Sequence, residues 1–272
     1  MKTRIISGVV AVVLLIIVLI LNKTFVYPLC IGLISVMAVL ELFRADKCMK
    51  YRLSVISACI CALATPLLRF FRLGGWSTLV TIAAVLLIFF DFIRNHSKRT
   101  FQQTAYMLAV TVFVTYSMNL LVTLLLINEK FGMMYVILAL CAAWISDTGA
   151  YFTGTFFGSR KLCPEISPKK TVEGFIGGIA ADIVVMLLAS LIFGLIAGVH
   201  VNFLWLMFTA AVCSVSGVLG DLSASLIKRQ RGIKDFGNIM PGHGGVMDRF
   251  DSALFTIPVF FACVSAIPIY SI

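Results

Sequence analysis

The feature that most limits what this chain can become is the recurrence of apolar runs about twenty residues long. They fall at about 5–21, 25–43, 53–70, 76–93, 104–127, 131–157, 173–198, 201–227 and 250–270. A helix of about 20 apolar residues crosses roughly 30 Å of hydrocarbon. Lipid offers no partner for backbone N–H and C=O groups, so only helices and closed barrels span it, and barrel-type alternation is absent here. The sequence therefore predicts an all-α, polytopic transmembrane helical bundle of about nine spans. Composition agrees, because a chain that is 61% hydrophobic and 12% charged lacks the polar residues to cover a water-soluble core.

Charge sets the expected orientation. With the N-terminus on the cytoplasmic side, that side collects Lys2, Arg4 and the loops at 44–52, 94–99, 160–170 and 228–249, which together hold 18 of the 22 Lys and Arg residues. Lys23, Arg69, Arg72 and Lys130 fall on the other side. The positive-inside rule then predicts N-in and C-out, and the net charge of +10 is largely a record of topology. Attraction to anionic headgroups is secondary. Nucleic acid is not an expected partner, since no soluble basic domain is present to bind it. Lys2 and Arg4 before Ile5–Leu21 also fit a secretory signal, but the following NKTFVYPLC offers no small-x-small cleavage site, so an uncleaved first span is expected. The eight cysteines lie mostly within spans and show neither a disulfide framework nor a zinc spacing.

Polar residues are unevenly spread along the chain. Up to about Lys130 the spans look nearly bare of interior polar groups, whereas Asp147, Asp182 and Asp221 sit in or at the ends of later apolar runs. Ionisable residues at membrane depth are costly and mark function by default. Residues 1–130 are thus expected to form a transmembrane scaffold, and 131–272 a catalytic region with cytoplasmic loops 158–172 and 228–249. Within the sixth span Ser146, Ala150, Gly154 and Gly158 recur every four residues, a small-residue face suited to close helix packing. Asp147 stands beside that face in WISDTGAY, either bonded to hydroxyls in a helix interface or forming a wall of a polar cavity.

Two loops look built for an anion. In SPKKTVEG, Ser167 and Pro168 suit the N-cap and first turn of a helix, with Thr171 as the alternative cap. Either choice sets Lys169 and Lys170 at or just before a helix N-terminus, where a phosphate is the natural occupant. Gly174, Gly177 and Gly178 would then let the seventh helix pack closely. In GDLSASLIKR, Asp221 and Lys228 are seven residues apart and share one helix face with Ser225 between them. Arg229, Arg231, Lys234 and Asp235 follow, and then PGHGG, whose glycines at 242, 244 and 245 around His243 permit unusual backbone conformations and close amide approach. In MDRFDS, Asp248 and Asp251 fall on one helix face. Three aspartates able to converge without a Cys or paired His favour a hard cation, magnesium above all, which usually binds substrate phosphates as well. Carboxylates with Lys and Arg about a Gly-rich turn suit phosphoryl or nucleotidyl transfer at the cytoplasmic face. Neither a Walker A loop nor a Rossmann fingerprint is present.

The stretch SLIKRQRGIKDFGNIMPGHGGVMDRFD closely resembles the signature of the phosphatidate cytidylyltransferase (CDP-diacylglycerol synthase) family: S-x-apolar-K-R, four residues, K-D, then P-x-H-G-G-apolar-x-D-R-apolar-D. Met240 stands where Leu, Ile or Phe is more usual. SPKKTVEG and SDTGAY look like further family elements, so the resemblance covers about Trp144 to Asp251. It implies conversion of CTP and phosphatidate to CDP-diacylglycerol and pyrophosphate, in phospholipid biosynthesis, with magnesium required and a monovalent cation such as K+ as a second ion. Carried over by position, Asp221, Asp248 and Asp251 match the acidic metal-site residues. Lys228, Arg229, Lys234, Asp235, His243 and Arg249 match other polar signature positions, and Ser167, Lys169, Lys170, Thr171 and Glu173 lie on the second element. The implied partners are CTP, phosphatidate and the lipid bilayer, with a homodimer among the assemblies known in the family. The implied location is the plasma membrane, with the site on the cytoplasmic side.

Both readings combine into one expectation. A phosphatidate oxygen attacks the α-phosphorus of CTP, with magnesium on Asp221, Asp248 and Asp251. Lys228, Arg229 and Lys234 steady phosphates, while Lys169 and Lys170 close the site from the other loop. A phosphate monoester is already ionised near neutral pH, so no general base is required. His243 is then expected as a phosphate or pyrophosphate contact, with the amides of Gly244 and Gly245 assisting. Two alternatives stand beside this. One is a CTP-dependent lipid kinase, and the other a secondary transporter using intramembrane aspartates such as Asp147 and Asp182.

Overall fold

The structure, a computed structural model, describes residues 2–239, 242 and 244–271, with side chains from Ser7 onward. Eight helical segments among the described residues are long and apolar enough to cross a membrane, the last of them Met247–Ala266 with a turn at Asp251 and Ser252, and Ser7–Ile20 forms a shorter apolar one. The expected helical bundle is therefore what the chain forms. Its elements in the first half are α1 (Lys2–Ile20), α2 (Val26–Ala45), α3 (Arg52–Phe70), α4 (Gly74–Arg94) and α5 (Phe101–Ile127). The second half holds α6 (Gly132–Phe157), the hairpin β1 (Lys161–Cys163) and β2 (Ser167–Thr171), and α7 (Val172–Ala197). There follow β3 (His200–Val201), α8 (Phe203–Gln230), the short α9 (Met247–Phe250), α10 (Ala253–Ala266) and β4 (Tyr270–Ser271).

The chain divides into two compact units. The first comprises 1–126 together with 231–249. In it α2 packs on α1 and α3, and α3 on α4. Tyr27 Oη donates to Leu121 O at 3.3 Å and Tyr106 Oη to Leu42 O at 3.1 Å, which join α5 to α2. These spans are not bare of interior charge, contrary to expectation. Asp91 of α4 is buried and takes a 2.6 Å hydrogen bond from Ser54 Oγ of α3 and a 3.2 Å ion pair from Arg99 Nη1. The Tyr51 ring covers the Arg99 guanidinium, 4.6 Å from ring centroid to Cζ. A buried carboxylate is tolerated when its charge and lone pairs are met in this way. Glu41, entirely buried in α2, is the second exception.

The second unit comprises 127–230 and 250–272. Its axis is the packing of α6 on α7, which uses the anticipated small-residue face. A Cβ placed on Gly178 would lie 2.7 Å from Ser146 O, one on Gly174 would lie 2.7 Å from Ala150 O, and one on Gly149 would lie 2.5 Å from Ala181 Cβ. These backbones touch because the residues between them lack bulk. Ser146 Oγ also shares a buried hydrogen bond with Ser214 Oγ of α8. At the other end of the unit β3 pairs antiparallel with β4, and Tyr270 stacks on Tyr135 with centroids 5.3 Å apart.

Two local expectations are corrected. Ser167 and Pro168 do not begin the seventh helix. They open β2, and Thr171 is the cap, its Oγ1 accepting from Gly174 N at 3.1 Å. The last helix is not continuous over 250–270 either. It breaks between α9 and α10 at Asp251 and Ser252, and it ends at Ala266 because Ile267 precedes a proline and takes extended backbone.

The α6–α7 contact yields a first prediction. Gly178→Leu should cost about 1–3 kcal/mol, the range for overpacking, read as a lower thermal midpoint in detergent. Gly75→Ala, at a helical position with nothing within 4 Å of its Cβ, should leave the midpoint unchanged or slightly raised.

Candidate active site

The site in the second unit grows from α8. One face of that helix carries Asp221, Ser225 and Lys228, and Ser225 Oγ donates to Asp221 Oδ1 at 3.3 Å, as their four-residue spacing allows. Just before Asp221 stands Gly220, where a Cβ would fall 2.6 Å from Asp251 O. The missing side chain lets the α9–α10 break lie directly against α8. Asp251 consequently sits within electrostatic reach of Asp221, Lys228 and Asp147. The hydroxyl of Ser252 donates to Asp147 Oδ2 at 3.0 Å, which ties α6 to the same break. Of the two readings open for Asp147, hydroxyl bonding in an interface is observed, and the interface is the one that carries the other aspartates.

The hairpin supplies the counter-charge. Lys170 Nζ lies 2.6 Å from Asp221 Oδ2, with the two side chains 22% and 26% exposed. Side chains alternate across a strand, so Lys170 is half-buried against α8 while Lys169 beside it is exposed. Thr171, buried and capping α7, packs against Gly154 and Gly158, where a Cβ would meet its Oγ1 at 2.9 and 2.7 Å. Glu173 holds the hairpin base, accepting from Ser159 Oγ at 2.6 Å and from the amides of Ser159 and Arg160. These contacts fix the strand that presents Lys170. Asp147, Lys170, Asp221, Lys228 and Asp251 thus come together from α6, β2, α8 and the α9–α10 break. Arg229 of α8 is exposed and Ser167 at the start of β2 half-exposed.

The remaining signature residues belong to the first unit. Asp248 Oδ2 accepts from Phe236 N at 2.8 Å and Gly245 N at 2.9 Å, so this carboxylate draws the loop around itself. Gly242 and Gly244 have φ of +78° and +86°, as expected of glycines in a turn closed to other residues. The Gly245 amide, expected to assist a phosphate, is engaged by Asp248. Lys234, Asp235 and Arg249 are exposed. His243 lies outside the described residues. Sequence reasoning missed Glu41, whose Oε1 accepts from Val246 N at 3.0 Å and Oε2 from Met247 N at 2.7 Å. A lone glutamate in the apolar run VYPLCIGLISVMAVLELFRA is the one signal that could have found it.

Among the described residues no three His, Cys, Asp or Glu side chains form a ready-made metal cage. Magnesium does not need one, since it commonly binds through one or two carboxylates and substrate phosphates while keeping water. The neighbouring Asp221 and Asp251, with a cation already on Asp221, have the donor chemistry for it.

The sequence model of the cytidylyltransferase family matches residues 2–267. A phosphatidate cytidylyltransferase of Bacillus subtilis (strain 168) is 34% identical over 265 residues, which is 96% of this chain and 96% of that protein. Proteins of the same name from Staphylococcus epidermidis (strain RP62A) and Staphylococcus saprophyticus are each 46% identical, over 128 and 132 residues. Both matches cover 47% of this chain and 48% of the relative.

The ion pair gives a second prediction. Lys170→Met and Asp221→Asn, made singly and together, should show a coupling of about 1 kcal/mol in detergent unfolding, the upper range for a partly exposed pair. Strict additivity would separate the two side chains.

Proposed function

The chain belongs to the cytidylyltransferase family, and from that membership and the geometry of its polar cluster we infer that it makes CDP-diacylglycerol and pyrophosphate from CTP and phosphatidate. The observation that carries this is the meeting of Lys170 with Asp221, which brings the SPKKT and DLSASLIK segments to one point beside Asp251. A carboxylate pair flanked by two lysines is a place for a polyphosphate and its cation.

The chemistry asks little of a base. A phosphatidate phosphate is ionised near neutral pH, and one of its oxygens forms a bond to the α-phosphorus of CTP. The bond from that phosphorus to the oxygen bridging toward the β-phosphorus breaks, and pyrophosphate departs with the electron pair. Lys228 and Lys170 hold the phosphates and keep the leaving group in line. Asp221 and Asp251 would hold magnesium, which would screen the charge developing on the phosphate oxygens. Asp147, tied to Ser252, keeps the Asp251 backbone in place. The exposed Lys169, Arg229, Lys234 and Arg249 raise the local concentration of an anionic nucleotide. The 18 to 4 division of Lys and Arg favours a site on the cytoplasmic face of the plasma membrane, where CTP is dissolved and the lipid enters from the bilayer.

The test uses purified protein in mixed micelles with phosphatidate and CTP labelled at either the α- or the γ-phosphate. Label from the α-phosphate should appear in lipid with equimolar pyrophosphate, and only when magnesium is supplied. Transfer from the γ-phosphate would instead identify a lipid kinase. Asp248→Asn supplies a third prediction. Asparagine keeps an oxygen for the Phe236 and Gly245 amides but loses the charge, so turnover should fall at least tenfold, about 1.4 kcal/mol of barrier, with the loop still folded.

A further inference from the structure

Glu41 is unlike any other acidic residue of the first unit. Its side chain is fully buried, it is the sole carboxylate of α2, and both of its oxygens are given to backbone amides of a loop about two hundred residues later in the chain. Buried carboxylates need such partners, but a helix staying in its place does not need this carboxylate. Asp91 and Arg99 show how the same unit neutralises an acid for structure alone, by a side-chain cation. Glu41 instead meets donors that belong to the segment bearing Asp248.

We propose that Glu41 is a positioning residue for nucleotidyl transfer: its buried carboxylate fixes the backbone at Val246 and Met247, and through it the placement of Asp248. Three further observations converge on this. First, consecutive amides are taken up in order, with Gly245 N donating to Asp248 while Val246 N and Met247 N donate to Glu41. These amides precede or begin α9, and the first N–H groups of a helical turn have no partner within it. The turn before Asp248 is thus closed by two carboxylates, one on its own segment and one on α2. Second, Gly237 and Gly245 both abut the Glu41 carboxylate, and a Cβ at either position would overlap its oxygens. The loop's glycines therefore make room for this acid. Third, the start of the same segment is fastened to the same helix end, because Arg231 pairs with Asp46, five residues beyond Glu41. Both ends of the segment are thereby held on α2 and its C-terminal cap.

Both oxygens of Glu41 are occupied by amides, which leaves it a role through Asp248 and none with the reactants. The proposal rests on the reading of Asp248 as part of the cytidylyl-transfer site. Two readouts keep the two ideas apart: turnover, and tryptic cleavage after the exposed Lys234 in the same loop. Glu41→Gln replaces one acceptor with an NH2 that faces an amide donor. The expected result, in detergent-purified full-length protein, is a kcat at least tenfold lower with KM for phosphatidate within about twofold, and cleavage after Lys234 at least tenfold faster, at an unchanged elution volume. Glu129→Gln, at an exposed position, should change neither readout. Should Glu41→Gln fail to insert, Gly237→Ala retains the carboxylate and displaces it, and the same pair of changes is expected. A folded Glu41→Gln or Gly237→Ala protein with wild-type kcat overturns the proposal, even when its thermal midpoint falls, because loss of stability alone is what a purely structural acid would give. Wild-type protein without cytidylyl transfer would overturn the reading of Asp248, whereas unaltered cleavage in Glu41→Gln would overturn the clamp itself.

Discussion

A carboxylate drawn into an apolar helix loses several kcal/mol of hydration, and the partners that offset this loss shape the structure around Asp91, Glu41 and Asp248. Asp91 recovers it from a guanidinium and a serine hydroxyl on neighbouring segments, and the result is a fixed joint between α3, α4 and the start of α5. Glu41 and Asp248 recover it from main-chain amides, which ties Phe236 and Gly245 to Asp248 and Val246 and Met247 to α2. Asp221 meets the Lys170 ammonium and the Ser225 hydroxyl, and Asp147 meets the Ser252 hydroxyl. Acids that are completely satisfied make structure. The Lys170–Asp221 pair, about a quarter exposed, is less enclosed than these.

The close approach of α6 and α7 makes the second arrangement possible. Backbone contact through Gly149, Gly174 and Gly178 fixes the distance between these helices within the width of a Cβ. A short hairpin can then bridge their ends, and its strand alternation turns Lys170 toward α8 while leaving Lys169 outside. A longer spacing would need a longer connection, and the lysine would lose its fixed reach to Asp221. Packing inside the membrane thus sets electrostatics at its surface.

Much of this was legible in the sequence, for identifiable reasons. Helix positions followed from hydrocarbon thickness, which sets a minimum length for a span, and the α6 face followed from a four-residue recurrence that is visible without partners. The Asp221, Ser225 and Lys228 stripe was legible because it lies on a single helix. What escaped notice depended on segments distant in the chain. SPKKT carries a serine and proline that favour a helix start, and its strand conformation comes from pairing with Lys161–Cys163, which local propensity does not encode. Glu41 has no periodic companion, and its partners are backbone amides 205 and 206 positions away, groups that every residue possesses and no sequence marks.

The glycines of the signature show how one residue type answers two separate demands. Gly242 and Gly244 hold left-handed backbone, so any side chain there strains the turn whatever surrounds it. Gly237 and Gly245 show no positive φ, and their need is for space against Glu41. The first demand is intrinsic to the loop and persists in any protein with the same turn. The second exists only while an acid occupies position 41, so Glu41, Gly237 and Gly245 form a set in which each residue type makes sense through the others, although one lies in an early transmembrane helix and two in a loop near the end of the chain. The C-terminal end of α2 thus does more than pack on neighbouring helices: Glu41 and Asp46 fasten the segment that carries Asp248.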